Sequence, residues 1–281
     1  MYPENIGGNL SLDETSYTKG ELYTVLTNKS AKGKKGSIVA MIQGVQSESI
    51  IKILKKIPEE KREMVKEVTL DMAGNMGKIV SSCFRKATKV IDRFHVQKLA
   101  YEAVQELRIK HRWIAIDQEN KKIDECKKNN KSIEIPEYNN GDSPKQLLAR
   151  SRYLLFKSES KWTEKQKVRS QILFDEYPDI KKAYLLSQKL GWIYENSIDK
   201  TTARTRLAKW IEMVRQSGFK SFNTISNTIN NHYPQILNYF DNKSTNAAAE
   251  SFNAKIKAFR AQLRGVVDIE FFLFRLQVLY A

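Results

Sequence analysis

Asp13, Asp71 and Glu250 sit in three separate local patterns of a 281-residue chain. They lie in the strand-like run NLSLDETSY, the run EMVKEVTLDMAG and the amphipathic segment STNAAAESFNAKIKAF. Two carboxylates on strands and one on a helix supply only oxygen ligands, the donor type that Mg²⁺ prefers. Brought together, they would hold two Mg²⁺ ions about 3.5 to 4 Å apart, which activates a nucleophile and stabilises a leaving oxygen in phosphoryl transfer. Each acid also has an ordinary role open to it. Asp13 and Glu14 suit a strand-to-turn acid pair, Asp71 could cap the helix that follows, and Glu250 fits a first-turn acid favoured by the helix dipole. Taken jointly, in this order and on a basic chain, the metal reading outweighs these.

The elements between the acids must position them. LSLDETSY, ELYTVLTN and KGSIVAMI read as strands joined by TKG and SAKGKKG, which favours an antiparallel meander. SESIIKILKKI places Ile50, Leu54 and Ile57 on one helical face with Ser47 as N-cap. EMVKEVTLDM returns to strand character, NMGKIVSSCF is helical through Met76, Ile79, Val80 and Cys83, and ATKVIDRF is a fifth strand. The order β-β-β-α-β-α-β, with right-handed crossovers after the meander, predicts an α/β fold with a ribonuclease H-like mixed sheet. Asp13 would then lie on the first strand, with Asp71 beside it at the end of the fourth.

From Val96 to about His232 strand signals fade and charged amphipathic stretches take over, broken by KKNNKSIEIPEYNNGDSP and FNTISN. This predicts a large all-helical insertion before the final catalytic helix. The division expected is 1–104 as the first part of the catalytic core, 105–236 as the insertion and 237–281 as the helices that complete the core. In the last segment Phe252, Ile256, Phe259 and Leu263 form an apolar stripe, with Ser244 or Thr245 placed to cap its start. Glu250, Asn253, Lys257, Arg260 and Arg264 share the neighbouring face, whose cations would follow a nucleic-acid backbone. Trp113, Trp162, Trp192 and Trp210 all fall in the helical region and are expected to pack in its core. The KGKKG turn suits either phosphate contact or a solvated hairpin tip.

Composition sets the partners. Lysine and arginine number 48 against 32 acids, for a net charge of +16 and a pI near 9.6, a field that attracts polyanions and above all nucleic acid. The apolar runs are too short and too charged to cross a bilayer, and MYPENIGGNL lacks a basic start followed by an apolar stretch, so a cytoplasmic protein without membrane contact is expected. Cys83 and Cys126 lie in dissimilar surroundings and the three histidines are scattered, which excludes a disulfide framework and a structural zinc site.

LSLDE, VTLDM, IDRFHV and STNAAAESFNAKIKAFRAQLRG occur in this order over nearly the whole chain. The combination resembles bacterial insertion-sequence transposases of the ISL-three family, a DDE group. The resemblance implies a ribonuclease H-like core that cleaves and rejoins element-end DNA with Mg²⁺ or Mn²⁺, without a covalent enzyme intermediate, in a bacterial, nucleoid-associated setting. It maps the catalytic and metal-binding acids onto Asp13, Asp71 and Glu250, and gives Asp92 and His95, together with Asn253, supporting roles. Some DDE assignments would make Asp92 the second acid; Asp71 is preferred.

Family resemblance further implies double-stranded DNA as substrate, at element ends and target, and a homodimer or larger synaptic assembly. Members usually carry an N-terminal DNA-recognition region, whereas here strand signals begin within a dozen residues of Met1. A separate recognition polypeptide, or a split or truncated element, is the expectation. The alternatives are a transposase-derived nucleic-acid-binding protein without chemistry and a ribonuclease H-like nuclease.

Overall fold

The computed structural model describes the whole chain except positions 19, 20, 244–246, 264 and 267; for 17, 18 and 247–250 it describes the backbone alone. The Ser244 or Thr245 cap and the Arg264 side chain therefore lie outside the described residues, as does the side chain of Glu250. The chain divides into two compact units, Met1–His95 with His232–Ala281, and Val96–Asn231.

The first unit holds a five-stranded mixed sheet of order β3-β2-β1-β4-β5, formed by β1 (Asn9–Thr18), β2 (Glu21–Asn28), β3 (Ile38–Gln43), β4 (Glu67–Leu70) and β5 (Thr88–Ile91). β1, β2 and β3 make the antiparallel meander, while β4 joins β1, and β5 joins β4, in parallel. Between β3 and β4 come α1 (Ser47–Leu54) and α2 (Glu59–Glu63), and between β4 and β5 comes α3 (Gly74–Cys83). The apolar positions expected for α3, Met76, Ile79, Val80 and Cys83, are its buried ones.

Three local expectations are corrected. Gln46, not Ser47, occupies the cap position of α1 and makes no side-chain cap bond. The fourth strand is only four residues long, because Pro58 starts a helical turn through Glu63. The fifth strand ends at Ile91, since Asp92 accepts the Phe94 amide on Oδ1 at 3.3 Å and the His95 amide on its carbonyl at 3.2 Å, turning the chain into α4 (Arg93–Lys128).

The second unit takes up α4 from Val96 and adds α5 (Pro144–Arg150), α6 (Glu164–Glu176), α7 (Pro178–Asn196), α8 (Lys200–Ser217) and α9 (Lys220–Asn231). Its core holds Trp210, fully buried with its indole N–H on the Leu186 carbonyl at 2.8 Å, and Trp162 beside Phe174 and Tyr184. Trp113 and Trp192, expected in that core, are instead 60% and 40% exposed. Trp192 lies beneath Lys189 and Arg206, 4.0 and 4.5 Å from its ring centre.

The chain then returns to the first unit through α10 (Tyr233–Leu237), α11 (Tyr239–Asn242), α12 (Ala247–Gln262) and α13 (Ile269–Tyr280). α12 and α13 bury Phe252, Ile256, Phe272 and Leu276 against Tyr23, Val25 and Ile38 of β2 and β3. Phe259 stacks on Phe272 at 5.6 Å, but Leu263, the last residue of the expected stripe, is 39% exposed. Among the described residues no helix is long and apolar enough to cross a membrane.

Candidate active site

Strand register brings the acids into a row. β1 and β4 pair Ser11 with Thr69, so Asp13 and Asp71, each two residues further on, continue the same ladder. β4 and β5 pair Leu70 with Ile91, and the Asp92 amide donates to the Leu70 carbonyl at 3.0 Å, which sets Asp92 beside Asp71. Neighbouring strands stand about 4.8 Å apart, so Asp13 in β1 and Asp71 and Asp92, each one residue past the ends of β4 and β5, form a row at one edge of the parallel strands. Val25 lies opposite Asp13 on β2 and belongs to the apolar cluster beneath α12, which identifies the Asp13 face as the α12 side.

The three are held differently. Asp13 is half-buried; its Oδ1 accepts the Glu14 amide and its Oδ2 accepts the Asn253 side-chain amide, both at 2.8 Å. Asp71, also half-buried, accepts the Ala73 amide at 2.8 Å, which tightens the turn out of β4; the cap position of α3 belongs to Ala73, so Asp71 does not cap that helix. Asp92 is 2% exposed, and among the described residues its Oδ2 has no hydrogen-bond partner. Burial pushes its carboxyl above the ordinary value, outweighing the Phe94 amide and the nearby His95 and Lys29, while Asp13 adds like-charge repulsion. His95 is half-buried, with its ring edge-on to Phe94.

Position 250 is in the first turn of α12, three residues before Asn253 and therefore on the same helical face. Lys257 is exposed and Arg260 half-buried further along the helix. Lys255 points the other way, donating to the Gly33 carbonyl at 2.7 Å. The KGKKG turn is thus packed by α12, and Gly33, at φ +69 with Lys255 3.3 Å from where a Cβ would sit, needs to be glycine.

Sequence reasoning overlooked a polar layer behind the row. On the same face of β4, Glu67 and Thr69 are buried, and Lys29 donates to them at 3.1 and 2.7 Å; Asn242 donates to the other Glu67 oxygen at 2.7 Å. Polar alternation through Glu67, Thr69 and Asp71 in an otherwise apolar strand is the signal that would have revealed this layer, whereas nothing near Lys29 marks it. Asn75, from α3, likewise ties Glu14 and the Val45 carbonyl, at 2.8 and 3.1 Å.

Among the described residues no three His, Cys, Asp or Glu side chains form a group able to hold a metal ion. The oxygen-only pair Asp13 and Asp71 nonetheless suits a hard cation.

A family model described as "Transposase", for DDE transposases of the ISL3 (ISL-three) type, matches residues 10–276. Among curated proteins the chain is similar to the transposase for insertion sequence element IS1001 of Bordetella parapertussis, at 22% identity over 276 residues, 96% of this chain and 60% of that protein. The chain thus spans three-fifths of that relative's length. No solved structure matches.

Proposed function

As the chain belongs to the ISL3 family of insertion-sequence transposases, we propose that it carries the catalytic machinery of such an enzyme, cutting DNA at element ends and joining the freed ends to a target. The observation that carries this reading is the register row: Asp13 lies two residues beyond the paired Ser11, Asp71 two residues beyond its partner Thr69, and the Asn253 bond ties α12 to Asp13. The sheet order supports a ribonuclease H-like core in the first unit, with the helical unit as its insertion. Asp13, Asp71 and Glu250 would hold two Mg²⁺ or Mn²⁺ ions, which when bound supply an activated attacking oxygen and a stabilised leaving oxygen.

The residues' own work is to fix oxygens. The Glu14 amide and Asn253 clamp both oxygens of Asp13, and the Ala73 amide turns Asp71 out of the strand end. Asp71 is preferred to Asp92 as second acid because a ligand must be reached from solvent, and Asp92 is almost fully enclosed. Asp92 instead starts the helix that carries His95, a supporting place behind the reacting groups. In the first reaction water attacks an element-end phosphodiester and releases a 3′-hydroxyl. In the second that hydroxyl attacks a target phosphodiester and expels a target 3′-oxygen, so one bond forms as one breaks.

Lys257, Arg260 and Arg264 would meet the phosphate backbone of double-stranded DNA. Two ends must be handled together, which calls for a homodimer or larger synaptic assembly, and a separate polypeptide could supply end recognition. Asp71→Asn tests the reading: Mg²⁺-dependent cleavage of a plasmid carrying the element ends should fall by about 10³-fold or more, with duplex binding retained. Normal cleavage by that variant would remove Asp71 from the mechanism.

A further inference from the structure

The helical unit contains a buried cation with no acid paired to it among the described residues. Arg108, on α4, is 5% exposed. Its guanidinium donates to Gln105 Oε1 at 2.6 Å and to the Leu148 carbonyl at 2.9 Å, both neutral acceptors. Arginine stays protonated in proteins, so this charge is present, and among the described residues nothing in the unit neutralises it. Its charged neighbours are two more arginines: Arg112, one turn further along α4, and Arg152, just after α5. Burial and the repulsion of Arg112 and Arg152 all pull the Arg108 pKa below the ordinary arginine value, so the assembly disfavours its own charge. Among the described residues no carboxylate pairs with any of the three.

The cluster is built and not merely crowded. Gln105 accepts from Arg108 with its oxygen and donates with its nitrogen to the Arg152 carbonyl at 3.0 Å, tying the Arg152 segment to α4. The Arg152 guanidinium stands 5.4 Å over the ring of Tyr153, which is 67% exposed. Arg112 and Arg152 are themselves exposed. One fixed, partly desolvated guanidinium thus lies behind two accessible ones. Elsewhere in the same unit a buried charge is answered in full: Asp142, with no exposed side-chain surface, is paired with Arg150 and Arg169. Among the described residues Arg108 has no such answer, which leaves room for a counter-charge from a bound anion.

We infer that Arg108, Arg112 and Arg152 form a phosphate-binding site of the helical unit, and that its ligand is a backbone phosphodiester of nucleic acid. Guanidinium forks match phosphate oxygens bidentately, so the exposed Arg112 and Arg152 would grip the phosphate, while Arg108, held by Gln105 and Leu148, fixes a positive charge behind them. An exposed aromatic beside the forks suits a nucleotide better than a free ion. The choice of nucleic acid as the source rests on the transposase reading above.

The experiment uses the full chain and the double variant Arg112→Gln/Arg152→Gln, whose sites are exposed and whose folding is checked by thermal melting. Duplex binding is followed by fluorescence anisotropy from low to moderate salt. Each lost phosphate contact makes the slope of log K against log[salt] shallower by about 0.9, and because the site holds one phosphodiester the double variant should lose about 0.9. Arg108→Lys keeps the charge but not the fork, and should weaken binding while leaving the slope nearly unchanged. An unchanged slope and affinity in the double variant overturns the site; if Asp71→Asn still abolishes cleavage in the same preparations, the transposase reading stands without it. A wild-type chain that binds no duplex overturns the site as a nucleic-acid contact. So does a thermal shift by inorganic phosphate that the double variant abolishes while its DNA slope stays that of wild type, since the ligand is then the free ion.

Discussion

Asn253 shows how much a single residue decides at this site. Its amide holds Asp13 Oδ2 from a helix 240 positions away in sequence, while the strand's own Glu14 amide holds Oδ1. A carboxylate fixed at both oxygens presents its remaining lone pairs in one direction, which is what a cation site needs. Asn253→Ala should therefore raise the Mg²⁺ concentration required for cleavage by about 10- to 100-fold, with the maximal rate largely recovered at high Mg²⁺. Asn253→Asp, which sets a like charge on Asp13, should not recover. A Mg²⁺ titration separates these outcomes, and wild-type metal dependence in Asn253→Ala would mean that the bond orients nothing. Sequence pattern alone placed Asn253 on the acid-bearing face of its helix, but not on Asp13, because a helical wheel gives direction and no partner. Asp71 and Asp92 were both visible and Asp71 was preferred on resemblance, but their unequal burial was not legible, because burial is a property of the whole sheet.

The elements were legible where a short period and a turn residue coincide, as in the meander with its TKG and KGKKG connections and in α3 with its four buried positions. They were illegible where one pattern runs through a boundary. α4 continues unbroken for 36 residues from the DRFH turn into the helical unit, so no break in periodicity marks the handover. The tryptophans misled for a related reason: an amphipathic helix shows which residues share a face without showing whether that face is covered, and Trp192 ended beneath two cations instead of inside. α12 permits a sharp test at this scale. Phe252 is 1% exposed, packed on the β2–β3 face and edge-on to Tyr280 at 5.1 Å, whereas Leu263 on the same sequence stripe is 39% exposed. Phe252→Ala should cost about 3 to 5 kcal/mol in chemical denaturation, and Leu263→Ala under about 1 kcal/mol. Equal losses would mean that α12 docks differently from the structure.

A chain with 48 basic and 32 acidic residues repels itself, and its acids are correspondingly consequential where they are enclosed. Asp142 is the strongest case: it has no exposed side-chain surface, Arg169 donates to it at 2.8 Å and Arg150 binds its other oxygen. Burial alone would raise its pKa, but the hydrogen bonds and charges of Arg169 and Arg150 outweigh that, and the carboxyl titrates below the ordinary aspartate value. A depressed folded pKa means that the unfolded chain takes up the proton first as pH falls. The stabilisation is therefore complete well above about pH 3.9, the unfolded value, and is lost as pH drops through that value towards the lower folded one. Over the same interval the other carboxylates also protonate, the net positive charge climbs, and repulsion compounds the loss. Asp142→Asn removes the partner of two guanidiniums that stay behind, one of them largely buried, and should destabilise at pH 7 by on the order of 3 kcal/mol. Because the variant has no proton to gain at this site, its deficit against wild type should shrink steadily as pH is lowered from 5 towards 2, each figure taken from denaturant melts. A deficit that stays constant across that range would show that Asp142 holds the helical unit by packing and hydrogen bonding alone, and not by its charge.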